Sequence, residues 1–129
     1  MKIYSQDKNS WLKITKNEGE YDVEGTYSIE VKFDIGHSVF NATNKEVIFT
    51  NGAEFKSTLN EFVMNRDLCP KLEGTYDSYV SFKAVGNNVV LSVNVGSAFC
   101  SSSTFAYSTS GEFEVSQEYL TNIVGSLPF

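Results

Sequence analysis

The 129-residue sequence holds one histidine, two cysteines, two prolines and ten basic residues, and each scarcity removes a class of explanation. With His37 alone, most histidine-based hydrolytic and metal chemistry lacks its parts; beside Gly36 it reads as a turn residue, a general base being the sharper alternative. Cys69 and Cys100 are too few for a disulfide framework and form no C-x-x-C pair, so both are expected as free thiols. Together with His37 they match no zinc-ligand spacing, and no metal or cofactor is expected. Ten bases against sixteen acids give a net charge of −6. That balance disfavours nucleic acid and anionic membranes as partners, because both need clustered Lys and Arg. From Leu72 onward the only base is Lys83, set against Glu73, Asp77, Glu112, Glu114 and Glu118. No run approaches the roughly 18 apolar residues of a membrane span, and Met1 to Asp7 lack the apolar centre of a secretory signal, so a cytoplasmic protein is expected. Neither GTYDSYV nor GNNVV has the spacing and lysine of a phosphate-binding loop, and the serines form no G-x-S-x-G elbow. Opposed carboxylates for glycoside chemistry would have to come from different strands. The expectation is a protein that is not an enzyme.

What the chain has is apolar and aromatic material: 41% hydrophobic residues, seven tyrosines and ten phenylalanines, enough for one core in a single domain spanning 1–129. Ser10 to Thr15 read as a short strand with Trp11 and Lys13 on one side and Leu12 and Ile14 on the other. In the next stretch Glu18, Glu20, Asp22 and Glu24 recur every second residue. If extended, it places four carboxylates on one face: an acidic strip for a basic partner, or an ordinary solvated strand face. The clearest strand is TYSIEVKFDI, with Tyr27, Ile29, Val31, Phe33 and Ile35 facing one way. Gly36 and His37 turn the chain, and residues 38–42 and 45–50 read as two strands meeting at a Thr-Asn corner, making five before the helix.

The helix is expected at about 51–65. Asn51 is placed to cap it with Glu54 reciprocating, and Phe55, Leu59, Phe62 and Val63 form its apolar face. After Pro70 come strands near 71–76 and from 79, a tight turn at Asp77 and Ser78 between them, and a hairpin through Gly86-Asn87-Asn88 into VVLSVNV. Residues 97–111 read as a serine-rich loop feeding a short strand at 112–115. A C-terminal helix at about 116–126, capped by Ser116, carries Tyr119, Leu120, Ile123 and Val124 on one stripe. The class is α+β: a mostly antiparallel curved sheet or half-barrel with one central and one C-terminal helix.

From a helix ending FVMNRD, through LEGTYDSYVSFKAVGNNVVLSVNV, to GEFEVSQEYLTNIVGSL, residues 54–127 resemble small immunity proteins of bacterial polymorphic toxin and contact-dependent growth inhibition systems. The resemblance implies a protein that binds one cognate toxin domain, commonly a nuclease, and blocks it without doing chemistry. It carries over no residue set. The candidate contacts are read from charge and aromatic placement instead: Glu18, Glu20, Asp22 and Glu24 on one strip, and Asp77, Tyr79, Glu112 and Glu114 on another. A basic toxin would be drawn to either. The alternatives are a small-ligand binder using an apolar cavity of the curved sheet, and an enzyme with facing strand carboxylates.

Overall fold

The computed structural model describes residues 1–20, 24–100 and 104–129, and for residues 99, 100, 104 and 105 it describes the backbone alone. Among these residues the chain forms two four-stranded antiparallel meanders with a helix between them and a helix after them. The first sheet runs β1 (Lys2–Tyr4), β2 (Trp11–Lys16), β3 (Tyr27–Asp34), β4 (Val39–Val47). Helix α1 (Gly52–Phe62) leads into β5 (Lys71–Glu73), β6 (Tyr79–Val85), β7 (Asn88–Cys100) and β8 (Thr104–Val115). A single 3₁₀ turn over Gln117–Tyr119 precedes α2 (Leu120–Ser126).

The two meanders curve into one another. Past the end of β4, Phe49 bridges Gly74; Thr75 donates its N–H to the Ile48 carbonyl at 3.0 Å, and Thr50 donates to the Glu73 carbonyl at 2.9 Å. At the opposite edges one backbone bond, Gln6 N–H to the Glu114 carbonyl at 2.9 Å, links the end of β1 to β8. The result is an open half-barrel of two four-stranded sheets bridged at these two places.

Alternation decides what fills it. Leu12, Ile14, Ile29, Val31 and Val47 from the first sheet meet Leu72, Val80, Phe82, Leu91, Val93 and Val115 from the second, all essentially inaccessible. Helix α1 adds Phe55, Leu59 and Phe62, with Phe55 stacked on Phe82 at 6.3 Å between ring centroids. Leu120, Ile123 and Leu127 complete a single core cluster.

Several local expectations are corrected. The capping box does not form. Asn51 instead pairs with the backbone of β5: its Nδ2 donates to the Lys71 carbonyl and its Oδ1 accepts from the Glu73 N–H, both at 2.8 Å. A carboxamide used as a strand neighbour has nothing left for the helix amides, and only the Asn51 carbonyl serves α1, accepting from Phe55 N–H. The regular helix stops at Phe62, three residues short of Asn65; Val63 stays helical in backbone angles, and Arg66 satisfies the Phe62 carbonyl with its guanidinium at 3.1 Å. Among the described residues four strands, not five, precede α1. Residues 38–42 and 45–50 belong largely to one strand, because the chain passes Thr43 and Asn44 in register and bulges only after them: Ile29 pairs with Asn44 but Tyr27 with Val47, so Lys45 and Glu46 together oppose Ser28, one extra residue on β4. The described part of the 18–24 stretch belongs to the β2–β3 connection, whereas β1 was not anticipated. Ile35 falls beyond β3 and is 69% exposed. The described parts of the serine-rich segment, residues 97–100 and 104–111, are strand: β7 and β8 keep register from Val89↔Val115 to Cys100↔Thr104, since a backbone ladder needs no apolar side chains. Ser116 makes no side-chain cap, and Tyr119 lies in the 3₁₀ turn at 52% exposed, off the stripe that buries Leu120 and Ile123. Cys69 is a free, exposed thiol; the Cys100 side chain lies outside what is described.

Candidate functional site

The second sheet turns one face to the core and the other to solvent, and pairing fixes which residues share the outer face. Tyr79 lies opposite Asn94 and Asn94 opposite Ser110; Ser81 aligns with Ser92 and Glu112, and Lys83 with Val90 and Glu114. Tyr79, Glu112 and Glu114 therefore stand on one surface, β6 and β8 separated by two strand spacings, about 10 Å. Glu112 is held from two sides, by Lys83 at 3.6 Å and by the Ser92 hydroxyl at 3.1 Å. With about half of each side chain exposed, the Lys83–Glu112 pair adds little stability, but it fixes where the carboxylate sits.

Asp77 joins this surface from the turn between β5 and β6. The turn is centred one residue earlier than expected: Ser78 donates to the Thr75 carbonyl at 3.1 Å, with Tyr76 and Asp77 both left-handed at φ +59° and +57°. Those angles suit a type I′ hairpin turn, whose central positions ordinarily belong to Asn or Gly. The turn is held because it folds over β7. Asn94 donates to the Asp77 carbonyl at 2.9 Å, and Gly96 N–H donates to the buried Ser78 hydroxyl at 3.2 Å. From the other sheet, the buried Asn44 amide donates to the Gly96 carbonyl at 2.7 Å. Gly96 thus sits where β6 has run out, its backbone groups satisfied by two side chains. Around the turn, Lys71, Glu73, Asp77, Tyr79 and Asn94 line a hollow of about 340 Å³. Lys71 pairs with Glu73 at 3.5 Å and lies 4.9 Å from the centre of the Tyr79 ring.

The other four candidates are not assembled in this way. Glu18, Glu20 and Glu24 are exposed in the β2–β3 connection, and Asp22 lies outside the described residues. Asn17 closes the base of that connection: its backbone N–H donates to Thr26, and its amide donates to the Thr26 hydroxyl at 2.9 Å and to the Lys45 carbonyl at 2.7 Å. Glu18 pairs with Lys16 at 3.9 Å. His37 is exposed at the hairpin tip between β3 and β4. Among the described residues, no three His, Cys, Asp or Glu side chains converge as metal ligands would. None of the helices among them is long and apolar enough to cross a membrane.

A larger concavity was not foreseen. Between β1 and α2 an open cleft of about 810 Å³ is walled by Lys2, Tyr4, Gln6 and Lys8 on one side and by Tyr119 and Asn122 on the other. Period-two alternation in Lys2-Ile3-Tyr4 and Trp11-Leu12-Lys13 carries the signal, but three residues are too few to announce a strand. Once paired, Lys2 lies 4.3 Å from the Trp11 ring centre and 4.9 Å from that of Tyr4. The Ser5–Ser10 loop sets the position of Lys8. Ser5 donates its hydroxyl to Asp7 Oδ1 at 2.5 Å, Asn9 N–H donates to the same oxygen at 3.0 Å, and Ser10 N–H donates to the Ser5 hydroxyl.

These bonds, that from Ser5 foremost, hold the Asp7 carboxyl below its ordinary range. A depressed carboxyl stabilises the loop above its unfolded-state value, and that contribution is lost as pH falls through the lower folded value. Carbon-detected NMR titration should therefore place the Asp7 midpoint below the ordinary aspartate value, with the Lys8 and Asn9 amides shifting at the same midpoint; an ordinary midpoint would mean that the Ser5–Asp7 bond is absent in solution.

The chain matches no protein-family model, no curated protein and no solved structure.

Proposed function

We propose that this protein is a cytoplasmic immunity protein that binds a cognate, basic toxin domain, such as a nuclease, and masks its active site or substrate groove. The observation that supports this reading is the common outer face of the second sheet, where Tyr79, Glu112 and Glu114 lie together with Asp77 at its end. A sheet anchored on a buried core presents carboxylates and a tyrosine at fixed spacing, which suits recognition of basic side chains at low entropic cost. The β2–β3 carboxylates, carried by a connection rather than a sheet, are the weaker docking surface.

The test is association with the toxin domain encoded next to this protein's gene, followed by stopped-flow fluorescence. Reversing Glu112 and Glu114 to lysine should slow association at least tenfold at low salt, because steering of opposite charges acts mainly on the on-rate. Reversing Glu18 and Glu20 should change it less than threefold. Rapid, tight binding by the first variant would remove this face from recognition, and failure of the neighbouring product to bind the wild-type protein would remove the immunity reading.

The cleft favours a second reading, a small-ligand binder. Its volume falls within the range of about 300–1,000 Å³ that ligand sites occupy. It lies at the seam of the half-barrel, the interior being filled by side chains.

A further inference from the structure

Hydrogen bonding alternates along β1, and the alternation shows what its free side offers. Met1 exchanges bonds with Ile14 in both directions at 3.0 Å, Ile3 lies opposite Leu12, and Ser5 donates to the Ser10 carbonyl at 2.9 Å. Odd-numbered residues therefore spend their backbone groups on β2, and those of Lys2 and Tyr4 point away from it. Gln6, next in that series, faces the same way and makes the single bond to Glu114. Beyond that bond β8 gives way to Ser116 and α2, so Lys2 and Tyr4 present a strand edge to the cleft and not to another strand. Its chemistry is selective. Ile3, Val115 and Ile123 make an apolar floor, Tyr4 and Tyr119 stand at the rim, and among the described residues the charged ones lining it are Lys2 and Lys8. In a protein of net charge −6, a cleft lined by two lysines and no carboxylate is a local inversion of sign.

We infer that this cleft takes an extended, acidic peptide segment of a partner protein, which adds a strand to the free edge of β1. Strand addition draws affinity from main-chain bonds and specificity from alternate side chains. Here one set of side chains enters over Ile3, Val115 and Ile123, while the other meets Lys2 and Lys8. An exposed edge is otherwise a liability for aggregation, and a dedicated occupant resolves it. The site lies apart from the outer face of the second sheet, has the opposite charge preference, and does not depend on the toxin-binding reading.

The probe is an eight-residue peptide of alternating valine and glutamate, acetylated and amidated, titrated into the ¹⁵N-labelled protein. The amides of Lys2, Tyr4 and Asn122 should shift, and replacing the glutamates by lysine should weaken binding at least tenfold. Of two peptides N-methylated at every valine or at every glutamate, one should lose binding at least tenfold and the other should keep it, because only one set of N–H groups faces β1. A Lys2→Glu/Lys8→Glu variant should bind at least tenfold more weakly. Asn122→Trp, on the exposed wall of the cleft, should do the same by occlusion and serves if the charge variant does not fold. Equal binding of both methylated peptides, or of the lysine peptide, overturns the proposal. So does binding of octanoate without binding of the peptide, which would make the cleft a site for small amphipathic anions.

Discussion

Gly96→Ala should lower the stability of this protein by about 3 kcal/mol, the upper end of what overpacking a buried site costs. A Cβ at Gly96 would coincide with the carbonyl oxygen of Tyr76, and that oxygen belongs to a backbone turn, not to a side chain that could swing aside. Relieving the overlap means lifting the Thr75–Ser78 turn off β7. Lifting it breaks the bonds from Gly96 to Ser78 and from Asn94 to Asp77, and disturbs the bond by which Asn44 ties the first sheet to Gly96. The buried Gly96 N–H would be left without the Ser78 hydroxyl it donates to, the costly way to lose a hydrogen bond. Urea unfolding followed by Trp11 fluorescence should show a lower midpoint with an unchanged slope. Gly125→Ala is the control: nothing lies within 4 Å of a Cβ there, and in a helix the change should be neutral or stabilising by up to about 1 kcal/mol. A Gly96→Ala protein within 0.5 kcal/mol of wild type, about the scatter of ordinary surface substitutions, would show that the turn does not rest on β7. Because Asp77 rides on this turn, the same substitution should also alter the proposed toxin-binding face.

Leu59→Asp should abolish cooperative folding. Leu59 is wholly inaccessible on the face of α1 that also buries Phe55 and Phe62. Truncating such a leucine costs about 2–5 kcal/mol through lost transfer energy and the cavity left behind, before any charge is introduced. An unpaired buried carboxylate adds a further desolvation penalty, and the sum is comparable to the whole stability of a domain, about 5–15 kcal/mol. Circular dichroism should show no sigmoidal thermal transition. Glu61→Lys, on the exposed side of the same helix, should stay within about 0.5 kcal/mol of wild type. A soluble Leu59→Asp protein that unfolds cooperatively would mean that α1 is not seated on the core.

Local pattern carried the class of the fold and the identity of most core residues. Alternation in Tyr27–Phe33 and Val89–Val95 marked two strands, and the 3.6-residue spacing of Phe55, Leu59 and Phe62 marked α1, because burial on one face leaves a period in the sequence. What leaves no period was not legible. Asn51 has the composition of a helix cap, yet its carboxamide bonds to β5, twenty residues away. Tyr76 adopts a left-handed angle that its residue type does not advertise, and Gly96, over which its carbonyl folds, is remote in sequence. The serines of β7 and β8 look like loop, but a long antiparallel ladder is secured by backbone bonds that any residue except proline can make.

The candidate contacts divide along the same line. The acidity of the C-terminal half is a property of composition, so residue order was enough to show that Asp77, Glu112 and Glu114 have few bases near them in the chain. Strand pairing alone decided that Tyr79, Glu112 and Glu114 share one face, and that Glu18, Glu20 and Glu24 sit in a connection instead. It alone also placed Lys2 and Lys8 in a cleft that no carboxylate of the described residues lines. Net charge is a sum that ignores position. A strand's neighbours are chosen by long-range register, and an edge exists only where the half-barrel fails to close.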